Sequence, residues 1–197
     1  MKIGIFGGSF DPVHNGHVKL AYHMLSVLEL DRLLIVPAYR SPFKPEDASH
    51  VGDRVEMCRL AFDDPRMEVS TVETQRGGKS YTVDTVNALK KRYGDNDYFL
   101  IVGADQFLQF DRWYRFPDIL SSVTLCAAAR TGTDKRPEME LFADKVLRRY
   151  GRCLLCDFEP LEISSTLIRE TIASGGDASE YLPEAVCDYI KNRGLYQ

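Results

Sequence analysis

The chain is short of cysteine, tryptophan and long apolar runs. Five of its 197 residues are Cys and one is Trp. The cysteines number an odd five and stand apart at positions 58, 126, 153, 156 and 187, which excludes a disulfide-stapled miniprotein. Apolar runs such as Leu125–Ala129 fall far short of the ~18 residues that cross a bilayer. Met1–Phe6 is too short for the core of a secretory signal, and glycines interrupt it at once. A cytoplasmic protein without a membrane partner is therefore expected. An excess of positive charge is missing as well: 25 Lys+Arg stand against 29 Asp+Glu, a net charge of −4. Duplex binding rests on phosphate neutralisation, so no nucleic-acid partner is expected, while a local anion pocket stays open. The Gly-x-Gly-x-x-Gly fingerprint and the Gly-Lys-Ser/Thr of a P-loop are both absent. So is any cluster of Asp and Glu at metal-ligand spacing.

What is present is ordinary globular material, with 44% hydrophobic and 27% charged residues. A chain of this length buries roughly 70% of its unfolded surface and needs no staples. One domain is expected over residues 1–197, with a small helical portion from about residue 160. Cys153-Leu154-Leu155-Cys156 has the spacing of a metal or redox pair, but no second pair completes a zinc site. The segment reads as a strand, where residues three apart face opposite ways, so buried structural thiols are expected.

Continuous apolar runs at Ile3–Phe6, Leu33–Val36, Phe99–Val102, Val123–Ala128 and Cys153–Phe158 suit strands covered on both faces, with Met67–Val72 a weaker sixth. Helical spacing appears over His17–Leu30, Val51–Phe62, Thr82–Tyr93 and Glu138–Tyr150, and a last helix with proline in its first turn opens at Leu182-Pro183-Glu184. The alternation predicts an α/β fold, a doubly wound, Rossmann-like parallel sheet with helices on both faces. Ligands of such sheets bind beyond the carboxyl ends of the strands. Ala38–Ser49 and Gln75–Ser80 read as mobile loops.

The first strand runs into Gly7-Gly8-Ser9-Phe10-Asp11-Pro12-Val13-His14-Asn15-Gly16-His17 and then a helix. Gly7 and Gly8 let backbone approach a ligand, and free N–H groups at a helix start favour phosphate. His14 and His17, three apart, can share one side of that turn and donate to an anion. The alternative is a tight turn with a capping histidine. His23 and His50 have no such setting and read as surface or structural residues. Near the other end, Ser164-Ser165-Thr166 can cap a helix that carries Arg169 one turn on, a second anion-binding combination or an ordinary cap. Two such sites suggest a polyphosphate held between them.

Gly7–His17 resembles the G-x-F-D-P-x-H-x-G-H signature of the nucleotidyltransferase superfamily, and Ile163–Arg169 resembles its I-S-S-T-x-I-R partner. Ser80–Thr85, Ile101–Asp105 continuing to Trp113, and Tyr181–Glu184 with Tyr189, Ile190, Leu195 and Tyr196 are similar to segments of the bacterial nicotinate-nucleotide adenylyltransferases. The resemblance spans essentially the whole chain. It implies transfer of AMP from ATP to nicotinate mononucleotide without a covalent enzyme intermediate, with Mg²⁺ arriving on the ATP. It implies His14, His17 and Arg169 as catalytic residues. Gly7, the backbone of Gly8, Ser9 and Phe10, and Gly103, Asp105, Ser164 and Ser165 join them in binding ATP, the Asp105 carboxylate accepting from ribose hydroxyls. Ser9, Lys44, Thr82, Trp113 and Tyr114 are implied for the mononucleotide, with the pyridinium stacked on the indole. One departure stands out: the loop that commonly reads P-P-H-K is Ser41-Pro42-Phe43-Lys44 here, with Phe43 in place of the histidine. Adenylyl transfer to nicotinamide mononucleotide or phosphopantetheine and a non-catalytic nucleotide-binding protein are the alternatives; homo-oligomerisation stays open.

Overall fold

Apolar runs with few polar interruptions make strands that must be covered on both sides, and six such strands lie among the described residues. The computed structural model describes residues 1–42, 49–129 and 135–197. Strands β1 (Lys2–Gly8), β2 (Arg32–Pro37), β3 (Met67–Val69), β4 (Asp97–Val102), β5 (Thr124–Ala129) and β6 (Cys153–Asp157) form one sheet in the order β3-β2-β1-β4-β5-β6. Every pairing is parallel.

The connecting helices among the described residues are α1 (Asn15–Val27), α2 (Val51–Ala61), α3 (Val72–Arg76), α4 (Thr82–Tyr93), α5 (Ala104–Phe107), α6 (Phe116–Leu120), α7 (Lys135–Phe142), α8 (Ser165–Ala173) and α9 (Glu184–Arg193). Strand side chains alternate between two cores, as the period of two requires. Phe6, Leu33, Ile35, Ile101 and Cys126 meet Met24, Met57, Ile168 and Val186 from α1, α2, α8 and α9. Ile3, Ile5, Leu34, Leu100 and Leu125 meet Val86, Phe107, Ile119 and Met139 from α4, α5, α6 and α7. Cys153 and Cys156 fall into opposite cores, and burial pushes the Cys153 thiol up to about 11. They are packing residues, as the strand spacing predicts.

Several boundaries differ from the sequence reading. α1 begins at Asn15, before His17, because His14 takes the N-cap position, and it ends at Val27. The segment expected as one helix over Glu138–Tyr150 starts at Lys135 and widens into a π-helical turn over Ala143–Leu147, which keeps Ala143 and Leu147 both on the core. Gln75 and Arg76, expected in a loop, close α3; Gly77 and Gly78, both left-handed at φ 68° and 72°, end it. Pro183 is the N-cap of α9 rather than a residue of its first turn. His50 caps α2, its Nδ1 accepting from the Gly52 N–H at 3.1 Å, and His23 packs on Phe158. No helix among the described residues is long and apolar enough to cross a membrane.

Candidate active site

The chain leaves β1 toward β2 on one side and returns to β4 on the other. The opposing connections part at the carboxyl ends of β1 and β4, the place where doubly wound sheets bind ligands. A cleft of about 560 Å³ opens there. Its floor is Ile5–Ser9 and Leu100–Gly103, and its walls bring together His17, Ser80–Thr82, Trp113 and Tyr114.

The turn after β1 carries the imidazoles. Phe10 adopts a left-handed backbone, φ 52°, and drives its ring into the core against Phe6, His17 and Phe62. An added Cβ at Gly8 would lie 3.0 Å from that ring, so glycine is needed there for packing as well as for access. His14 and His17 stack with centroids 3.7 Å apart and an interplanar angle of 26°. His17 Nδ1 accepts from the His14 backbone N–H at 3.3 Å, which in the neutral ring leaves the proton on Nε2. His14 is buried, its Nδ1 has no hydrogen-bond partner, and burial lowers its pKa from 6.5 to about 4. Charging both stacked rings would cost about 4 kcal/mol at an effective dielectric of 20.

The Ser164–Thr166 segment and Arg169 pack directly behind this turn. Ser164 Oγ caps α8 by accepting from the Leu167 N–H at 3.1 Å. Ser165 Oγ donates to the Pro12 carbonyl at 2.9 Å, and Arg169 Nη1 donates to the Asp11 carbonyl at 2.7 Å. These contacts span more than 150 residues of sequence and join the two motifs into one wall. Arg169 also donates to Thr166 Oγ1 at 3.4 Å, which leaves further guanidinium donors for a ligand.

Away from the imidazoles the cleft becomes aromatic. Trp113 is half-buried and packs on Phe110 at 4.8 Å; Tyr114 is exposed and packs on Tyr81 at 4.8 Å. Tyr81 is the N-cap of α4 and gives it no side-chain cap; its carbonyl accepts from the Asp84 and Thr85 N–H groups, and the Thr82 and Val83 N–H groups stand ahead of these at the helix start. A buried network supports them. Thr85 Oγ1 donates to Glu73 Oε1 at 2.6 Å, Arg76 Nη2 donates to Thr85 Oγ1 at 3.1 Å, and the Tyr39 N–H donates to Ser80 Oγ at 3.0 Å. Burial pushes the Glu73 carboxyl up, against the pull of Ser80, Thr85, Arg76 and Arg54. Arg54, 1% exposed, donates to the Ser9 carbonyl at 2.7 Å and the Tyr39 carbonyl at 3.2 Å.

A family model described as cytidylyltransferase-like matches residues 5–171. The nicotinate-nucleotide adenylyltransferase of Bacillus subtilis (strain 168) is 36% identical over 198 residues, covering 100% of this chain and 98% of the relative. A probable nicotinate-nucleotide adenylyltransferase of Gloeobacter violaceus is 38% identical over 200 residues, covering 99% and 96%. The chain belongs to the cytidylyltransferase-like family, among its nicotinate-nucleotide adenylyltransferases. The Plasmodium falciparum nicotinic acid mononucleotide adenylyltransferase complexed with NaAD shares the fold, with a TM-score of 0.80 at 17% identity over 99% of this chain and 97% of that one.

Of the residues carried over from the family motifs, Gly7, Gly8, Ser9, His17, Thr82, Gly103, Trp113 and Tyr114 line the cleft. His14 lies in the β1–α1 turn itself, stacked on His17, and Ser164, Ser165 and Arg169 form the wall behind that turn. The Phe10 ring is buried in the core, and the family motif implied only the backbone of this residue. One expectation changes. The Asp105 carboxylate is outside the cleft lining and pairs with Lys135 at 3.0 Å, because α5 turns it toward α7. Lys44 and Phe43 lie outside the described residues. The sequence reading missed the side chains that hold the site in place: Asp11, Arg54, Glu73, Thr85 and the cleft residues Gln106 and Arg112. Asp11 and Thr85 stood inside the motifs, but with no role assigned to their side chains. Arg54 and Glu73 carried no signal, since a buried charge looks like a surface charge in a helical pattern.

Proposed function

We propose that the chain transfers AMP from ATP to nicotinate mononucleotide. The carrying observation is that one cleft brings His17, stacked on His14, together with Thr82 and Trp113. In this reading a phosphate oxygen of the mononucleotide attacks the α-phosphorus of ATP in line. The bond from that phosphorus to the bridging oxygen breaks, and pyrophosphate leaves with its electron pair. The protein contributes position and charge, the two terms that dominate phosphoryl transfer.

His17 Nε2–H donates into the cleft, and His14 supports it through the stack while its backbone N–H fixes the His17 tautomer. Arg169 and the start of α8 take the terminal phosphates. Gly103 and the backbone of Gly8, Ser9 and Phe10 accompany the nucleotide, with Asp105 accepting from a ribose once it leaves Lys135. The uncapped α4 terminus at Thr82 receives the pyridine carboxylate while the electron-poor ring lies on Trp113. Among the described residues no group of three His, Cys, Asp or Glu is placed to hold a metal ion. Magnesium enters this reading as part of the substrate, Mg-ATP.

The test is pyrophosphate release with Mg-ATP and, side by side, nicotinate mononucleotide, nicotinamide mononucleotide and phosphopantetheine. Preference for nicotinate mononucleotide supports the whole reading. Preference for another acceptor retains the polyphosphate site and removes the pyridine-carboxylate assignment. Absence of release with all three sinks the enzymatic reading.

A further inference from the structure

The closing residues of the chain take no part in the chemistry above, yet they reach the phosphate turn. α9 ends at Gly194, left-handed at φ 62° and ψ 35°, and Tyr196 is left-handed as well at φ 66°. A tyrosine holds that backbone only against strain, so tertiary contacts must fix it. Those contacts converge on one buried carboxylate. The Tyr196 hydroxyl donates to Asp11 Oδ1 at 2.7 Å and sits 3.2 Å from Ser49 Oγ, which donates to the same oxygen at 2.5 Å. Asp11 is 3% exposed and follows left-handed Phe10 in the turn that leads to His14. Its own carbonyl accepts from Arg169. One residue thus links the chain end, the imidazole turn and the α8 wall.

A parallel tie runs alongside. Tyr189 and Arg193 of α9 converge on Asp53 Oδ1 at 2.8 Å and 3.2 Å, and the next residue, Arg54, holds the Ser9 carbonyl. Burial pushes the Tyr196 hydroxyl well above its ordinary range, so it stays a donor at any working pH.

We propose that Tyr196 is a positioning residue for the polyphosphate. Acting through Asp11, its hydroxyl holds the Ser9–His17 turn and Arg169 at the separation a nucleoside triphosphate requires. The inference rests on the adenylyl-transfer reading. The hydroxyl itself does not meet the substrate; the effect travels through the backbone on either side of Asp11. The ring-binding residues of the pyridine pocket stand on other elements, Thr82 at the start of α4 and Trp113 and Tyr114 between α5 and α6.

The test is Tyr196→Phe in the full chain, assayed with Mg-ATP and nicotinate mononucleotide, with the ATP dissociation constant read separately by calorimetry. The expected result is a loss of about 10-fold or more in kcat/KM for ATP and a weaker ATP affinity. The KM for the mononucleotide should stay within about twofold. Ser49→Ala, which removes the other donor to the same oxygen, should move the ATP constants in the same direction. Tyr196→Phe added to Asp11→Ala should cost nothing further. Gln197→Ala on the same tail should match the wild type. Wild-type ATP affinity and kcat/KM in Tyr196→Phe would overturn the proposal. So would equal losses toward both substrates, which mark general destabilisation. An inactive wild type would sink the adenylyl-transfer reading, while ATP affinity would still report on Tyr196.

Discussion

Protonation of His14 should destabilise the unliganded protein by an amount that can be worked out in advance. Burial lowers its pKa from 6.5 to about 4, so the unfolded chain takes up this proton at a higher pH than the folded one. Stability present at pH 7 is therefore lost as pH falls from about 6.5 toward 4. The full gap of roughly 2.5 units corresponds to about 3 kcal/mol, and about 2 kcal/mol of it is lost by pH 5. His14→Gln removes the titration. Urea unfolding of both proteins at pH 7 and pH 5 should show the wild type losing about 2 kcal/mol more than the variant over that interval. The carboxyls, Glu73 among them, are present in both proteins and cancel in the comparison. The same physics implies proton uptake when ATP binds, because phosphate favours the charged ring. Binding enthalpies should then vary with the ionisation enthalpy of the buffer in the wild type and much less in the variant. Identical pH dependences in the unfolding experiment would refute the buried, neutral imidazole.

Other positions lead to sharp expectations. His17→Ala should lower turnover by about 10²-fold or more while circular dichroism and Tm stay near wild type, since a lost donor to developing charge is costly and the ring is only half-buried. Trp113→Ala should raise the KM for nicotinate mononucleotide by about 2-fold to 30-fold, the equivalent of a stack worth ~0.5–2 kcal/mol, with little change in the KM for ATP. Gly151→Ala should lower Tm by several degrees, because its Cβ would lie 2.0 Å from the Leu120 carbonyl oxygen and the backbone must shift. A thermal melt unchanged from wild type would contradict that packing.

Much of this architecture was open to a reading of residue order. All six strands lie where the apolar runs place them, and α2 and α4 begin at the residues their spacing indicates. Such segments carry their own signal, since a strand buried on both faces must be apolar throughout. The short α3, α5 and α6 escaped notice because five residues or fewer complete too little of a period to stand out. The two motifs that meet in the wall of the site were visible in the sequence, but their union was not. Ser165 to Pro12 and Arg169 to Asp11 are contacts that only the folded sheet creates.

Residue order by itself determined the parallel α/β scheme, the glycine turn with its two histidines and the family to which the chain belongs, because each rests on local pattern. Tertiary structure alone decided which charges are buried and what they hold. Arg54, Glu73 and Asp11 look like surface residues in the sequence, yet they are desolvated at the heart of the site. The physical reason is that burial and hydrogen-bond partnership belong to pairs of segments far apart in sequence. No single segment can encode that its carboxylate will meet a tyrosine 185 residues away.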